Sequence, residues 1–518
     1  MVEKNKKIKN IIFNIISFLI LLLVWFAIFI NYEFNDVSFE QLIFTLTNPA
    51  GANYDIVWYG ALFVLVGIIV TILVFKLMKK LWEYIKLSVI LKFTFKKWEF
   101  SFDLFKITKV RRVFFYLIFV FGSLFGSIKL VELDDYIKNM NNVSTIFEDY
   151  YVDSSKVEIE FPKKKRNLIF LVVESLESSN VSRKNGGLVD ESYSPYLEKL
   201  ALKYTNFSSS DKIGGLTQVS NTSYTIAGLV SHTAGIPLKT PVDWNTYKSN
   251  KSSLSGAYSI GDLLRDNGYK NYFMLGSDAN YGGRKQYFQQ HGNYEIYDYY
   301  WAIEQGKISD DYKVWWGYED LKLYDYAKEK LLEISKNDEP FNFTMLTADT
   351  HFTDGYMDKE CQNKFSNVYA NSFYCADYKI GKFIEWVQQQ SFYKNTTIVI
   401  VGDHLVVQDG LYKDDSNRYI YNVLINSALS TDNNKNRVAT HFDMYPTTIA
   451  ALGAKIDGDK LGLGVNLYSS KKTLIEEVGV EYLNIELLKK SNYYNDYIIG
   501  DDYYDMINSK ETLYEDKD

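Results

Sequence analysis

Three long apolar runs dominate the first quarter of the chain, and shorter ones recur through the rest. Ile11–Ile30 (IIFNIISFLILLLVWFAIFI), Ile56–Met78 and Val113–Leu130 are each long enough to cross a bilayer as a helix. No small-residue cleavage site follows the first, so it reads as a retained anchor and not as a signal peptide. Leu87–Phe95 is too short for a fourth crossing and carries a central lysine. Beyond residue 166 the pattern changes. Short apolar runs alternate with amphipathic segments, which predicts an α/β domain with a mostly parallel sheet. The predicted strands Leu168–Val173, Tyr272–Leu275, Phe341–Leu346 and Thr396–Val401 all run into polar groups. These are Glu174, then Ser277 and Asp278, then Asp349 and His351, then Asp403 and His404. Ligands bind beyond the carboxyl ends of strands in open α/β sheets. Four such ends argue for one shared site. The predicted organisation is a membrane domain over 1–131, a linker over 132–166, a catalytic domain over 167–470 and a C-terminal tail over 471–518.

Charge orients this arrangement. Lys4, Lys6, Lys7 and Lys9 precede the first run, and residues 79–112 hold ten Lys or Arg. The segment between the first two runs carries Glu33, Asp36, Glu40 and Asp55 and no basic residue. Basic segments stay in the cytoplasm. Three crossings therefore predict a multi-pass protein of a cytoplasmic membrane with everything after about residue 131 outside. The net charge of −7 across 518 residues points away from nucleic acid. The two cysteines, Cys361 and Cys375, allow no CxxC or zinc-type spacing. A disulfide between them is permissible on the outer side.

The segment Gly214–Leu238 is dense in hydroxyls, and Thr222 and Ser223 precede a predicted helix over Tyr224–Thr233. A helix N-terminus favours a phosphate or an alkoxide. The alternative is that Thr222 only caps the helix. Of the five histidines, His351 and His404 stand at strand ends, and His441 stands where a loop enters a helix.

The set ESLE (Glu174–Glu177), TSYTIAGLVSHTAGIPL (Thr222–Leu238), THF (Thr350–Phe352), GDH (Gly402–His404) and HFDMYPTTIAALG (His441–Gly453) resembles the membrane-bound phosphoglycerol transferases. These form part of the sulfatase-like branch of the alkaline phosphatase superfamily. Lipoteichoic acid synthases are a more distant likeness. The resemblance covers about residues 160 to 470, and SFEQLIFTLTNPAGAN (Ser38–Asn53) resembles the family's loop before its second span.

The resemblance implies an extracytoplasmic α/β/α domain on transmembrane helices. It implies one divalent metal, Mn²⁺ with Mg²⁺ or Zn²⁺ as alternatives, held by Glu174, Thr222, Asp403 and His404. Three oxygens and one nitrogen suit those ions. Thr222 is the implied nucleophile and His351 the substrate-contacting acid. His404 and Asp278 also fall on substrate-binding positions, with Arg284 or Lys285 as the basic phosphate-binding residue. Glu177 is implied as a support and not a ligand. The implied reaction moves phosphoglycerol from phosphatidylglycerol to a cell-envelope glycan or glycolipid hydroxyl at the bacterial inner membrane, releasing diacylglycerol. Phosphoethanolamine transfer is the alternative within the superfamily, and a non-catalytic membrane-anchored glycan-binding protein is the alternative outside it. Sulfate-ester hydrolysis is disfavoured, because neither cysteine nor any serine near 222 lies in the C/S-x-P-x-R frame that yields formylglycine.

Overall fold

The computed structural model describes residues 2–33, 54–84, 90–95, 98–103, 109–239, 254–408, 410–413 and 417–500, with Phe39 and Leu42. The chain forms two compact units, 1–39 with 52–136 and 40–51 with 137–518.

The first unit contains α1 (Val2–Glu33), α2 (Tyr54–Tyr84) and α3 (Lys109–Leu130). Their segments Ile11–Tyr32, Val57–Met78 and Val113–Leu130 are long and apolar enough to cross a membrane. α1 meets α2 where the Trp25 indole donates to the Thr71 hydroxyl at 3.0 Å, a pairing that satisfies both polar atoms away from water. The short apolar run near residue 90 is not a crossing. Ile90–Phe95 pairs antiparallel with Trp98–Asp103 as a hairpin. Of the Ser38–Asn53 stretch, only Phe39 and Leu42 fall within the described residues.

The second unit is built on a seven-stranded sheet. In chain order its strands are β1 (Asn167–Val173), β2 (Gly215–Leu216), β3 (Lys270–Leu275), β4 (Glu295–Tyr297), β5 (Phe341–Leu346), β6 (Thr396–Gly402) and β7 (Ile420–Ile425). They lie in the order β2-β7-β6-β1-β5-β3-β4. The pairs from β6 through β4 are parallel, and β7 runs antiparallel to both β6 and β2. All four strands predicted from apolar runs are present and mutually parallel. Both faces are covered, which is why those runs are continuously apolar. Leu168, Phe170 and Val172 enter one core, and Ile169, Leu171 and Val173 enter the other, as the two-residue strand period requires. The first core packs under α4 (Thr225–Ala234) and α7 (Met444–Ala451). The second packs under α5 (Asp320–Ile334) and α6 (Val368–Gln389). This is the expected α/β/α domain.

The segments set apart by sequence as linker and tail contribute to the first core. Ile146 and Phe147 are buried in it, as are Leu474, Leu483, Leu487 and Tyr494. Their apolar residues occur singly or in short groups among polar ones, so no long run announces them. Residues 501–518 fall outside the described residues. Cys361 and Cys375 are joined in a disulfide.

The topology has a direct test. A reporter active only outside the cytoplasm is expected to be on when fused after Asp134 and off when fused after Lys97. The opposite pattern would invert the arrangement of the three spans.

Candidate active site

The site begins with a tight turn. Val173 ends β1, Leu176 N–H returns to the Val173 carbonyl at 3.3 Å, and Ser175 is held at φ +55°. A non-glycine residue there is uncommon and marks a place where the surroundings over-determine the backbone. The turn lifts Glu174 to the strand tip. β6 pairs in parallel with β1, and Val173 stands opposite Gly402, so the next residues, Glu174 and Asp403, emerge side by side.

Glu174, Asp403 and His404 are all buried, and one ligand atom from each lies within 4.8 Å of the others. His404 Nε2 stands 3.2 Å from Glu174 Oε1 and 3.5 Å from Asp403 Oδ2. Its Nδ1–H donates to the Leu405 carbonyl at 2.8 Å, which leaves Nε2 facing the carboxylates. That is how a metal-bound imidazole is usually oriented. Asp403 Oδ1 accepts from Ser175 N–H at 2.7 Å and His404 N–H at 2.8 Å. Asp403 Oδ2 is buried with no hydrogen-bond partner. An orphaned carboxylate oxygen beside a second carboxylate and an imidazole nitrogen is what a divalent cation would satisfy, so these residues fit one.

The hydroxyl in this cluster is not the one chosen from sequence. Thr222 is fully buried, and its Oγ donates to the Val219 carbonyl at 2.7 Å. Thr225 is half-exposed, and its Oγ donates to Glu174 Oε2 at 3.2 Å. The physical reason is the helix start. α4 begins at Thr225 with Tyr224 as its N-cap, so Thr225 is the first helical residue, beside the free N–H groups. Gly228, one turn on, lets α4 come this close, since a Cβ there would collide with the Asp403 carbonyl. The TxxG spacing in TIAG was the available signal, because residues three apart share a helix face.

Other predicted residues take distinct places. His351 is partly buried, lies tilted against Trp316 at 4.5 Å between ring centroids, and donates from Nδ1 to the Phe352 carbonyl at 2.6 Å. Burial holds its imidazole below the usual range despite the opposing pull of Glu174. Arg284 is buried, its Nη2 donates to the Asp278 carbonyl at 2.8 Å, and its Nε has no partner. Its charge acts on both Glu174 and His351. The neighbouring Lys285 is only half-buried. The Asp278 carboxylate accepts from the backbone and side-chain N–H groups of Asn280 at 2.8 and 2.9 Å, so it shapes its own loop. Glu177 accepts from Arg418 Nε at 3.0 Å and from Val406 N–H at 2.7 Å, fixing the chain just after His404.

Two histidines that sequence reasoning left without a role support the ligand backbone. His232 Nε2–H donates to the Gly402 carbonyl at 2.9 Å, and His441 Nε2–H donates to the Asp403 carbonyl at 2.8 Å. Burial lowers His232 to about 4 and His441 well below its ordinary range, so both are neutral donors.

With this geometry in place, the comparisons with known proteins can be read. The family model described as Sulfatase matches residues 166–454, more than half of the chain. The chain belongs to the sulfatase family. Phosphoglycerol transferase I of Citrobacter koseri is 30% identical over 307 residues, which is 57% of this chain and 38% of that protein. Phosphoglycerol transferase I of Escherichia fergusonii is 29% identical over the same shares. The chain thus spans less than half the length of these curated relatives. Among solved structures, it resembles the lipoteichoic acid synthase LtaP of Listeria monocytogenes with a TM-score of 0.46 and 20% identity, over 61% of this chain and 80% of that one. It also resembles the phosphoethanolamine transferase EptA of Neisseria meningitidis with a TM-score of 0.48 and 14% identity, over 85% of this chain and 84% of that one. In this sulfatase-family chain a threonine occupies the helix start that faces the buried cluster.

The electrostatics generate a test. Burial and then the charge of Glu174 push the Asp403 carboxyl up to about 8. Burial alone would lower His404, but Asp403 and Glu174 outweigh it and raise the imidazole to about 10. The cation-free cluster therefore holds protons at neutral pH. Binding a divalent ion must displace them, so affinity is expected to rise from about pH 6 to about pH 9. Isothermal titration near pH 7 in buffers of different ionisation enthalpy should show roughly two protons released per ion, one from Asp403 and one from His404. Asp403→Ala should weaken binding by about 100-fold or more while the circular dichroism spectrum is retained. An affinity independent of pH would contradict this account.

Proposed function

We propose that the protein is a metal-dependent transferase that moves phosphoglycerol from phosphatidylglycerol to a hydroxyl of a cell-envelope glycan or glycolipid. The observation that carries this reading is the Thr225 hydroxyl, on the first residue of α4, at 3.2 Å from Glu174 in the Glu174–Asp403–His404 cluster. The matched relatives named phosphoglycerol transferase I support the choice of group transferred. The three apolar helices account for access to a lipid donor.

Thr225 is the nucleophile in this proposal, in place of Thr222. Its Oγ attacks the phosphodiester phosphorus. The Oγ–P bond forms, the bond from phosphorus to the diacylglycerol oxygen breaks, and a phosphoglycerol–threonine remains. Glu174, Asp403 and His404 would hold the cation, which we take as Mn²⁺. When bound, it makes a nearby hydroxyl easier to deprotonate and screens the phosphate charge. The free N–H groups at the start of α4 favour the anionic phosphate. Arg284 offers its unpartnered Nε–H to a phosphate oxygen. His351 has its Nδ1–H committed to Phe352, so Nε2 is its exchangeable position. It takes a proton as Thr225 attacks and returns one to the departing diacylglycerol oxygen. In the second half the acceptor hydroxyl attacks phosphorus and its proton passes to Nε2; the bond from phosphorus to Thr225 Oγ breaks, and Nε2 returns the proton to that oxygen, regenerating the threonine and the neutral imidazole.

Thr225→Ala in the full-length protein is expected to abolish both labelling of the protein by glycerol-labelled phosphatidylglycerol and release of diacylglycerol. Thr222→Ala loses two buried hydrogen bonds, to the Val219 carbonyl and from Val219 N–H, which costs about 2 kcal/mol of stability, and should retain most of the activity. Full diacylglycerol release by Thr225→Ala would sink the covalent mechanism. Labelling from phosphatidylethanolamine instead would redirect the reading to phosphoethanolamine transfer.

A further inference from the structure

A buried lysine stands behind His351 with no part in the chemistry above. Lys379 lies on α6 and is 4% exposed. Its ammonium is paired with Asp349 and, at 2.6 Å, with Asp358. These two carboxylates belong to the two limbs of one loop. Asp349 stands two residues before His351, on the limb leaving β5. Asp358 stands on the limb returning toward α6.

The loop is closed tightly between them. Tyr356 N–H donates to the Asp349 carbonyl at 2.6 Å. Gly355 is held at φ +65°, and a Cβ there would press on the Asp349 carbonyl and the Ser372 hydroxyl, so glycine is required. The outgoing limb is held again from α5. The Asp320 carboxylate accepts from Ala348 N–H at 2.9 Å and Asp349 N–H at 3.0 Å. On the returning limb, Cys361 is bonded to Cys375, which lies one helical turn before Lys379 on the same face of α6. Helix α6 therefore grips the loop covalently, through charge, and through the Tyr369 hydroxyl, which donates to the Thr350 carbonyl at 2.7 Å. Only the charged grip reaches both limbs.

We propose that Lys379 is the positioning residue for His351: its ammonium joins the outgoing and returning limbs of the 349–358 loop and so fixes where the imidazole stands. Surface lysines contribute little to stability. A buried ammonium facing Asp349, Asp358 and the nearby Asp320 is different, because its removal leaves buried carboxylates without compensation. Burial and the adjacent Asp320 already raise the Asp349 carboxyl well above its ordinary range. The loop would then open toward water, and His351 would lose its place beside Trp316. The kinetic part of this inference rests on the transferase reading, while the structural part does not.

The test uses the full-length protein in detergent, with Lys379→Met, Lys379→Arg and Asp358→Asn. Hydrogen exchange of the amides in 349–358 is expected to accelerate by about tenfold or more in Lys379→Met, with β6 amides unchanged. For diacylglycerol release from phosphatidylglycerol, kcat should fall by about tenfold, with KM within about twofold. In a His351→Gln background the same substitution should add less than about twofold, because the two residues act as one unit. Lys379→Arg should restore most of the rate. Unchanged exchange in 349–358, or a full second loss in the His351→Gln background, would overturn the proposal. If Lys379→Met does not fold, Asp358→Asn frees the returning limb alone and should show the same pattern at about threefold; an unaltered loop and rate in that variant would overturn it equally. If the parent protein releases no diacylglycerol, the transferase reading fails, and the exchange measurement still decides the role of Lys379.

Discussion

The parallel pairing of β1 with β6 is the constraint on which the site depends. With Val173 opposite Gly402, the residues that follow each strand leave the sheet together, about 4.8 Å apart in the pairing direction. That spacing brings a glutamate and an aspartate within reach of one cation. A slip of one residue would send either carboxylate to the opposite face of the sheet. The continuous apolar runs on both strands hold the register, because each side chain already has a place in one of two cores. Two like charges at a buried tip are unfavourable on their own. The sheet supplies the stability that permits them, and His404 with a bound cation would offset them.

Around that tip the protein uses neutral groups to hold charged ones. Asp403 receives two backbone N–H bonds on one oxygen, and its neighbouring carbonyls receive the imidazoles of His232 and His441. Glu177 and Arg418 fix the chain on the far side of His404. Gly228 lets α4 pack against the Asp403 backbone. Thr225, the Glu174–Asp403–His404 cluster and the loop that carries His351 are thus each fixed from a different element, and little is left to side-chain freedom.

Much of this was legible in the sequence. The four strands were visible because a doubly covered strand is a run of apolar residues, and the shared site was visible because four such runs lead into polar, acidic or imidazole groups. Thr222 and Thr225 were harder to separate. The choice turns on where a helix begins, and a boundary one residue later makes Thr225 the first helical residue. The roles of His232 and His441 could not be read, since a buried imidazole that donates to a carbonyl has no sequence spacing. Lys379 looks from the sequence like any lysine on an amphipathic helix, and only the fold brings three aspartates from distant segments to it. The packing of residues 474–499 was hidden because its apolar residues come only singly or in short groups and form no long run.

That last segment alters the order in which the site can be completed during synthesis. The helix Val480–Leu488 holds the loop before Thr225: Asn484 accepts from Ser220 N–H at 2.9 Å, and Asn221 donates to the Leu487 carbonyl at 3.0 Å. These partners are more than 260 residues apart in the chain. The strands and the acidic tips can assemble as the chain emerges, but the loop before Thr225 lacks its support until the Val480–Leu488 segment arrives. A nascent chain would bring its buried carboxylates and His404 together well before it held a properly seated Thr225. Activity would then switch on late, once nearly all of the described polypeptide has been made.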